Sequence, residues 1–383
     1  MFRYLTAGES HGRALTAIIE GLPAGLTLDE EYIAHDLARR QGGYGRSARM
    51  EIEQDRAEIL SGVRHGLTIG SPISLLIRNR DWENWKEIMA IATTETESEK
   101  VTRLRPGHAD LAGTIKYGLD DIRPILERAS ARETAARVAV GAVARRLLKE
   151  IGIEIHSHTM AIGGVYTKNE GSGKIDWDNV EKSPVRCSEA ETEKKMMAVI
   201  DKAKADGDTL GGVFQVVATG VPIGLGSHVH WDRRLGGKIA QAIMSINAVK
   251  GVEIGAGFSL ADLPGSQSHD IIERAGRKWH HETNRAGGIE GGITNGEPVV
   301  VKAVVKAIPT LAKPLPSVDL KTGESVVAHV ERSDVCVVPA AGVIGESMLA
   351  IVLADAVLEK FGGDHIKETL RNYKSYLGGI NKL

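Results

Sequence analysis

Aromatic side chains are scarce in this sequence, 4% of 383 residues, and with them go the stacking platforms that single-stranded nucleic acid needs. Neither sign of charge dominates. Lys and Arg number 48 against 50 Asp and Glu, a formal charge of -2, so no global field draws nucleic acid or anionic lipid. Any anion must be held by a local cluster. The two cysteines, Cys187 and Cys336, stand far apart and outside any CxxC pattern, which argues against a disulfide framework or a thiolate metal site and fits a reducing cytoplasm. The N-terminus carries no apolar leader, and no uninterrupted apolar run approaches the roughly 18 residues of a membrane span. We therefore expect a soluble, unprocessed, cytoplasmic protein with no nucleic-acid and no membrane partner. Also missing are a GxGxxG opening a helix, a GxxxxGK[ST] and an HExxH. The pairs His156/His158, His228/His230 and His280/His281 have no ligand framework around them. Dinucleotide-fold, P-loop and metal-site readings fail accordingly.

Glycine, in contrast, is abundant, with 44 residues and clusters at Gly42-Gly43, Gly211-Gly212, Gly287-Gly288 and Gly291-Gly292 that suit a site built from loops. The 42% hydrophobic content supports a sizeable core. Branched residues predict strands over 14–19, 58–63, 73–77, 153–162, 213–219, 252–258 and 299–308. Asp29 is expected to cap a helix to about Arg40. Capping boxes at 130–133 and 188–191 predict helices over 131–150, rich in small residues and covered on more than one side, and over 189–205, peripheral and charged. A long apolar helix over 346–361 and an amphipathic one over 365–376 follow. No repeat or linker divides the chain, so residues 1–383 are read as one domain. Its class is α+β, because the strands and helices lack steady βαβ alternation.

Four polar clusters can carry chemistry. Ser10 and His11 sit between Gly8 and Gly12, a pattern that also suits an ordinary turn. Arg39, Arg40, Arg46 and Arg49 surround a glycine-rich loop with no acid interleaved. Helix-dipole complementation explains the first two, whereas a phosphate or dicarboxylate ligand would explain all four. Arg103, Arg105, His108 and Asp110 join Arg128, Ser130 and Arg132, where a helix N-terminus can both be capped by Ser130 and grip an anion. Arg332 and Asp334 precede the C-terminal apolar helix, and such a pair is commonly no more than a surface contact.

Taken in order, GESHG at 8–12, RRQGGYGR at 39–46, RPGHAD at 105–110, ERASARETAARVA at 127–139 and RSDVCVVPAAG at 332–342 resemble the chorismate synthase family along nearly the whole chain. One departure is visible. Where the family commonly has Lys-Pro-Ile-Pro-Thr in its flavin loop, this chain has Lys306, Ala307, Ile308, Pro309 and Thr310, which loosens the loop backbone. The resemblance implies a layered sandwich of antiparallel β-sheets enclosing helices, a homotetramer, and one FMN per subunit, used in its reduced form FMNH2. It assigns flavin contacts to Arg128, Ala129, Ser130, Asn247, Ala248, Gly291, the 306–310 loop and Arg332. Substrate arginines are Arg40, Arg46, Arg49 and Arg132. His11, with Ser10 beside it, is placed to protonate the departing phosphate, His108 to protonate the reduced flavin, and Asp334 to receive the proton from its N5.

The implied reaction is 1,4-elimination of phosphate from 5-enolpyruvylshikimate 3-phosphate to give chorismate. Two carboxylates and a phosphate on the substrate demand several guanidinium groups. The C–H bond broken is weakly acidic and no side chain is a ready base for it, so reduced flavin is needed for transient electron donation without net redox change. A flavin-independent lyase or transferase acting on a phosphorylated carboxylate would use the same arginines and histidines. With no dinucleotide fingerprint for NADPH, the chain is expected to depend on an external flavin reductase.

Overall fold

The structure is a computed structural model that describes residues 1–47, 54–93, 99–168, 175–276, 278–331 and 333–380. Strands β1 (Arg3–Ala7), β2 (Ala14–Glu20), β3 (Ala57–Ser61) and β4 (Ile73–Arg78) form an antiparallel sheet in the order β1-β2-β4-β3. Alternation sets its faces. Ile73, Leu75 and Ile77 point inward from β4 while Ser74, Leu76 and Arg78 are at least partly exposed. A second antiparallel sheet contains β5 (Glu154–Ile162), β6 (Val165–Tyr166), β7 (Gly212–Thr219), β8 (Val249–Ile254) and β9 (Val299–Val305), in the order β8-β9-β7-β5-β6.

Between the sheets lies the helical layer. Helix α1 is Glu30–Gln41, and Asp29 caps it by accepting from the Tyr32 amide at 2.8 Å. Helices α2 (Asp110–Tyr117) and α3 (Arg123–Arg128) lead into α4 (Thr134–Lys149), and α5 (Ala190–Asp206), α6 (Leu235–Met244), α7 (Val338–Phe361) and α8 (Ile366–Ile380) complete the main set. Helix α4 packs on the first sheet, α7 on the second, and the two helices pack on each other. This is the expected α+β sandwich, with helices inside. The small residues of α4 explain the close approach: a Cβ added at Gly141 would lie 2.2 Å from Ser347 Cβ on α7. On the other side of α7, a Cβ at Gly345 would meet the Phe214 ring at 2.7 Å.

Several boundaries differ from the sequence reading. Helix α7 begins at Val338, because Pro339 suits a first helical turn and Glu346, which looks like a polar start, is fully buried in its middle. The longer helix is apolar enough by length and composition to cross a membrane, but 89% of its apolar window is buried inside the protein. Glu346 is satisfied by Arg39 and Arg145 at 2.7 Å, by Ser157 Oγ at 2.7 Å and by Arg186 at 3.3 Å. The box at 188–191 does not close: Ser188 Oγ is buried without a partner among the described residues, Glu191 pairs with Lys194, and Glu189, at the cap position, accepts from the Lys168 amide and the Thr192 hydroxyl. At 130–133, Ser130 caps a 3₁₀ turn, Ala131–Glu133, by accepting from the Arg132 amide, while Glu133 pairs with Arg137. The strand expected over 252–258 is displaced to Val249–Ile254, and the one over 299–308 ends at Val305. Strand β1, five residues long and fully buried at none of them, carries no signal of its own in the sequence.

Candidate functional site

A cavity of about 440 Å³ opens where loops from both sheets meet the ends of the central helices, and its size suits a small-molecule site. The turn between β1 and β2 brings Ser10 and His11 to it, and the end of α1 with its following loop brings Arg40 and Arg46. His108 comes from the loop before α2, Ala129, Ser130 and Arg132 from the α3–α4 junction, and Asn247 and Ala248 from the turn after α6. Lys306, Ile308, Pro309 and Thr310 follow β9, and Asp334 precedes α7. Residues separated by more than 300 positions thus share one wall system. Three others lie off it. Ala307 faces outward between Lys306 and Ile308; Arg128 turns into an adjoining groove, donating to the Gly8 carbonyl at 3.2 Å; and Gly291 sits in the turn between Ile289–Glu290 and Ile293–Thr294. Arg49 and Arg332 lie outside the described residues.

The arginines are not the isolated cations that the sequence suggested. Arg39 turns away from the cavity to Asp36, Glu181 and Glu346. Arg40 and Arg132 share the buried carboxylate of Asp55, and Arg132 also donates to Asn79 Oδ1 at 2.8 Å. Burial pushes the Arg40 guanidinium down to about 10, against the pull of Asp55 and with Arg132 and Arg46 adding repulsion, so it stays charged at neutral pH. Arg46 pairs with Asp334 at 3.0 Å. For Arg40 and Arg46 the carboxylate partners, Asp55 and Asp334, come from outside the 39–49 segment, which is why no acid is interleaved there. Asp55 shared between two arginines leaves the pair with net positive charge for an anion.

Both histidines have buried carboxylates behind them. His11 Nδ1 lies 2.9 Å from Glu127 Oε1, and its ring stacks on Trp85 with centroids 3.7 Å apart. Ser10 Oγ lies 3.1 Å from Ser130 Oγ. His108 Nδ1 bonds to Asp110, which also accepts from Arg105 at 2.9 Å. Burial alone would raise the Asp110 carboxyl, but the hydrogen bonds from His108 and Arg105 hold it well below the usual range. Glu331, on the same wall, falls to about 2: burial is outweighed by the His329 hydrogen bond and by Arg105 and Arg123. Asp55, Asn79, Trp85, Glu127 and Glu331 were not singled out by sequence. Only Glu127 had a signal, its place in the ERASARE stretch.

A planar polar cofactor fits part of this lining. Asn247 donates through Nδ2 to the Ala129 carbonyl at 3.0 Å, while its buried Oδ1 has no partner among the described residues and is available to a ligand donor. Ala248, left-handed at φ 66, directs its carbonyl to the Lys306 amide at 2.9 Å and so ties the 306–310 loop to that wall. The Thr209 hydroxyl holds the Ile308 carbonyl at 2.8 Å. With Ala307 in place of proline, the loop is still anchored at both flanks.

The sequence model of the chorismate synthase family matches residues 2–358. A chorismate synthase of Moorella thermoacetica is 59% identical over 387 residues, covering 99% of this chain and 100% of that protein. One of Carboxydothermus hydrogenoformans is 53% identical, covering 99% of each. A crystal structure of chorismate synthase superimposes with a TM-score of 0.82 at 46% identity, over 100% of this chain and 99% of the other.

Proposed function

This chain belongs to the chorismate synthase family, and on that premise we propose that it eliminates phosphate from 5-enolpyruvylshikimate 3-phosphate to form chorismate, with reduced FMN as cofactor. The observation that carries this reading is the convergence of Arg40, Arg46 and Arg132 with His11 and His108 on one cavity. The arginines bind the substrate's phosphate and carboxylates. His11, with Ser10 beside it, delivers a proton to the departing phosphate. Ser130, Asn247, Ala248 and the 306–310 loop would hold FMN. When bound in its reduced form, FMN supplies transient electron donation that eases phosphate loss with no net redox change. His108, backed by Asp110, offers a proton on the cofactor's side of the cavity, and Asp334, held by Arg46 and the Ser47 amide, offers an acceptor there.

The same reading makes the enzyme cytoplasmic, a homotetramer and dependent on an external flavin reductase. Assembly is supported by Leu5 and Ile18, direct cross-strand partners on the first sheet that are 72% and 51% exposed. A flavin-independent lyase using the same arginines is the competing reading. Anaerobic incubation with substrate, with and without reduced FMN, separates the two: phosphate release without flavin would favour the competitor.

A further inference from the structure

Glu127 stands behind His11 and not on the cavity wall; its side chain is 0% exposed. Oε2 accepts from the His11 backbone amide at 2.8 Å, Oε1 and Oε2 lie 2.9 and 3.1 Å from His11 Nδ1, and Arg123 Nη1 approaches Oε1 at 3.4 Å. The Glu127 carbonyl takes the Ser10 amide at 3.1 Å, so one residue anchors both members of the Ser-His pair. Trp85, stacked on the imidazole within 19° of parallel, blocks rotation of the ring. A carboxylate surrounded by donors acts only as an acceptor, so the ring nitrogen facing it must carry the proton. Nε2 has no partner among the described residues and is left for the cavity.

We propose that Glu127 is a positioning residue that locks His11 in the Nδ1–H form, so that Nε2 is the atom that exchanges a proton with the substrate's phosphate. This rests on the reading of His11 as the proton donor to that phosphate. After the proton leaves Nε2, the neutral ring is already in the form the carboxylate holds, and no ring flip intervenes. A glutamine at 127 has one acceptor oxygen for three donors, and its amide nitrogen turned toward the ring makes Nδ1 an acceptor and moves the proton to Nε2.

Two-bond ¹H–¹⁵N correlation on the ligand-free, [¹⁵N]histidine-labelled full chain reads the tautomer directly, with the His11 signals assigned by their loss in His11→Ala. In the neutral ring of the wild type, reached by raising the pH until one nitrogen is bare, Nδ1 is expected to carry the proton and Nε2 none. Glu127→Gln should lose that signature and lower kcat about 10-fold or more with KM nearly unchanged, while Glu127→Asp recovers the signature and part of kcat. A neutral wild-type His11 protonated at Nε2 with Nδ1 bare would overturn the proposal even if Glu127→Gln did not fold, as would a Glu127→Gln protein that kept both signature and kcat. Because the tautomer is measured without substrate or cofactor, loss of the proposed activity reading would leave this result intact and recognisable.

Discussion

Arg46 Nη1 lies 3.0 Å from Asp334 Oδ2, and the other oxygen of that carboxylate accepts from the Ser47 amide at 2.7 Å. The glycine-rich loop after α1 is therefore tied to the segment before α7. An isolated Arg46 would act on substrate binding alone, and Arg46→Ala would change only KM. The pairing changes that expectation: Arg46→Ala should raise the substrate KM strongly and also lower kcat, because Asp334 loses its anchor, while oxidised FMN affinity stays almost unchanged. Steady-state kinetics and a flavin titration check it; loss of flavin binding would reassign the loop.

His11→Ala and His108→Ala should each reduce turnover by roughly 10²-fold or more with FMN still bound. The histidines lie on one cavity and are each backed by a buried carboxylate, Glu127 and Asp110. Near-normal turnover of either variant with reduced FMN under anaerobic conditions would remove its proton-transfer role.

Glu346 links pH to stability. Burial opposes its ionisation, but Arg39, Arg145 and Arg186 prevail and hold its carboxyl below the ordinary value. A folded-state pKa below the unfolded one gives stability that is fully present above the usual carboxylate range, about pH 4, and lost as pH falls below it. Glu346→Gln should cost about 3–5 kcal/mol at neutral pH and flatten the acid limb, since Arg39, Arg145 and Arg186, all mostly shielded from solvent, lose the fully buried carboxylate they share. Urea unfolding at a series of pH values reads both effects.

The crossing of α4 and α7 has room for no side chain at Gly141. Gly141→Val should destabilise by about 1–3 kcal/mol or more through overpacking against Ser347, measured as a lower Tm with the secondary structure retained.

Flavin reduction gives a separate expectation. The chain has no dinucleotide fingerprint, so NADPH alone should not support chorismate formation with FMN, whereas dithionite should. Robust turnover with NADPH, using protein free of contaminating reductase, would overturn dependence on an external reductant and leave the elimination chemistry untouched.

Much of this was legible in sequence because it is local. Alternation of branched residues placed β2, β4 and β7 within a residue or two, and the small-residue pattern of α4 announced a helix covered on several sides. Motif order brought the cavity residues together before any coordinates did. What stayed hidden was pairing at a distance. Asp55 sits between Arg40 and Arg132 with no local pattern to mark it, and Glu346 looked like a polar helix start because its three arginines come from elsewhere in the chain. The capping boxes marked real helix starts but closed only in part: Ser130 accepts from the Arg132 amide, whereas Glu133 pairs with Arg137 and Glu191 with Lys194, ion pairs within the same helices that replace the reciprocal bond of the pattern.

An elimination that needs reduced flavin yet consumes none is tested by its stoichiometry. The direct measurement is anaerobic: substrate in large excess over enzyme-bound FMN reduced with dithionite, following inorganic phosphate, chorismate absorbance and the flavin spectrum together. Phosphate and chorismate are expected in equal amounts, many per flavin, with the flavin still reduced at the end and no product when FMN is oxidised or omitted. Product limited to one equivalent per flavin with matching flavin oxidation, or equal phosphate release without flavin, would contradict it.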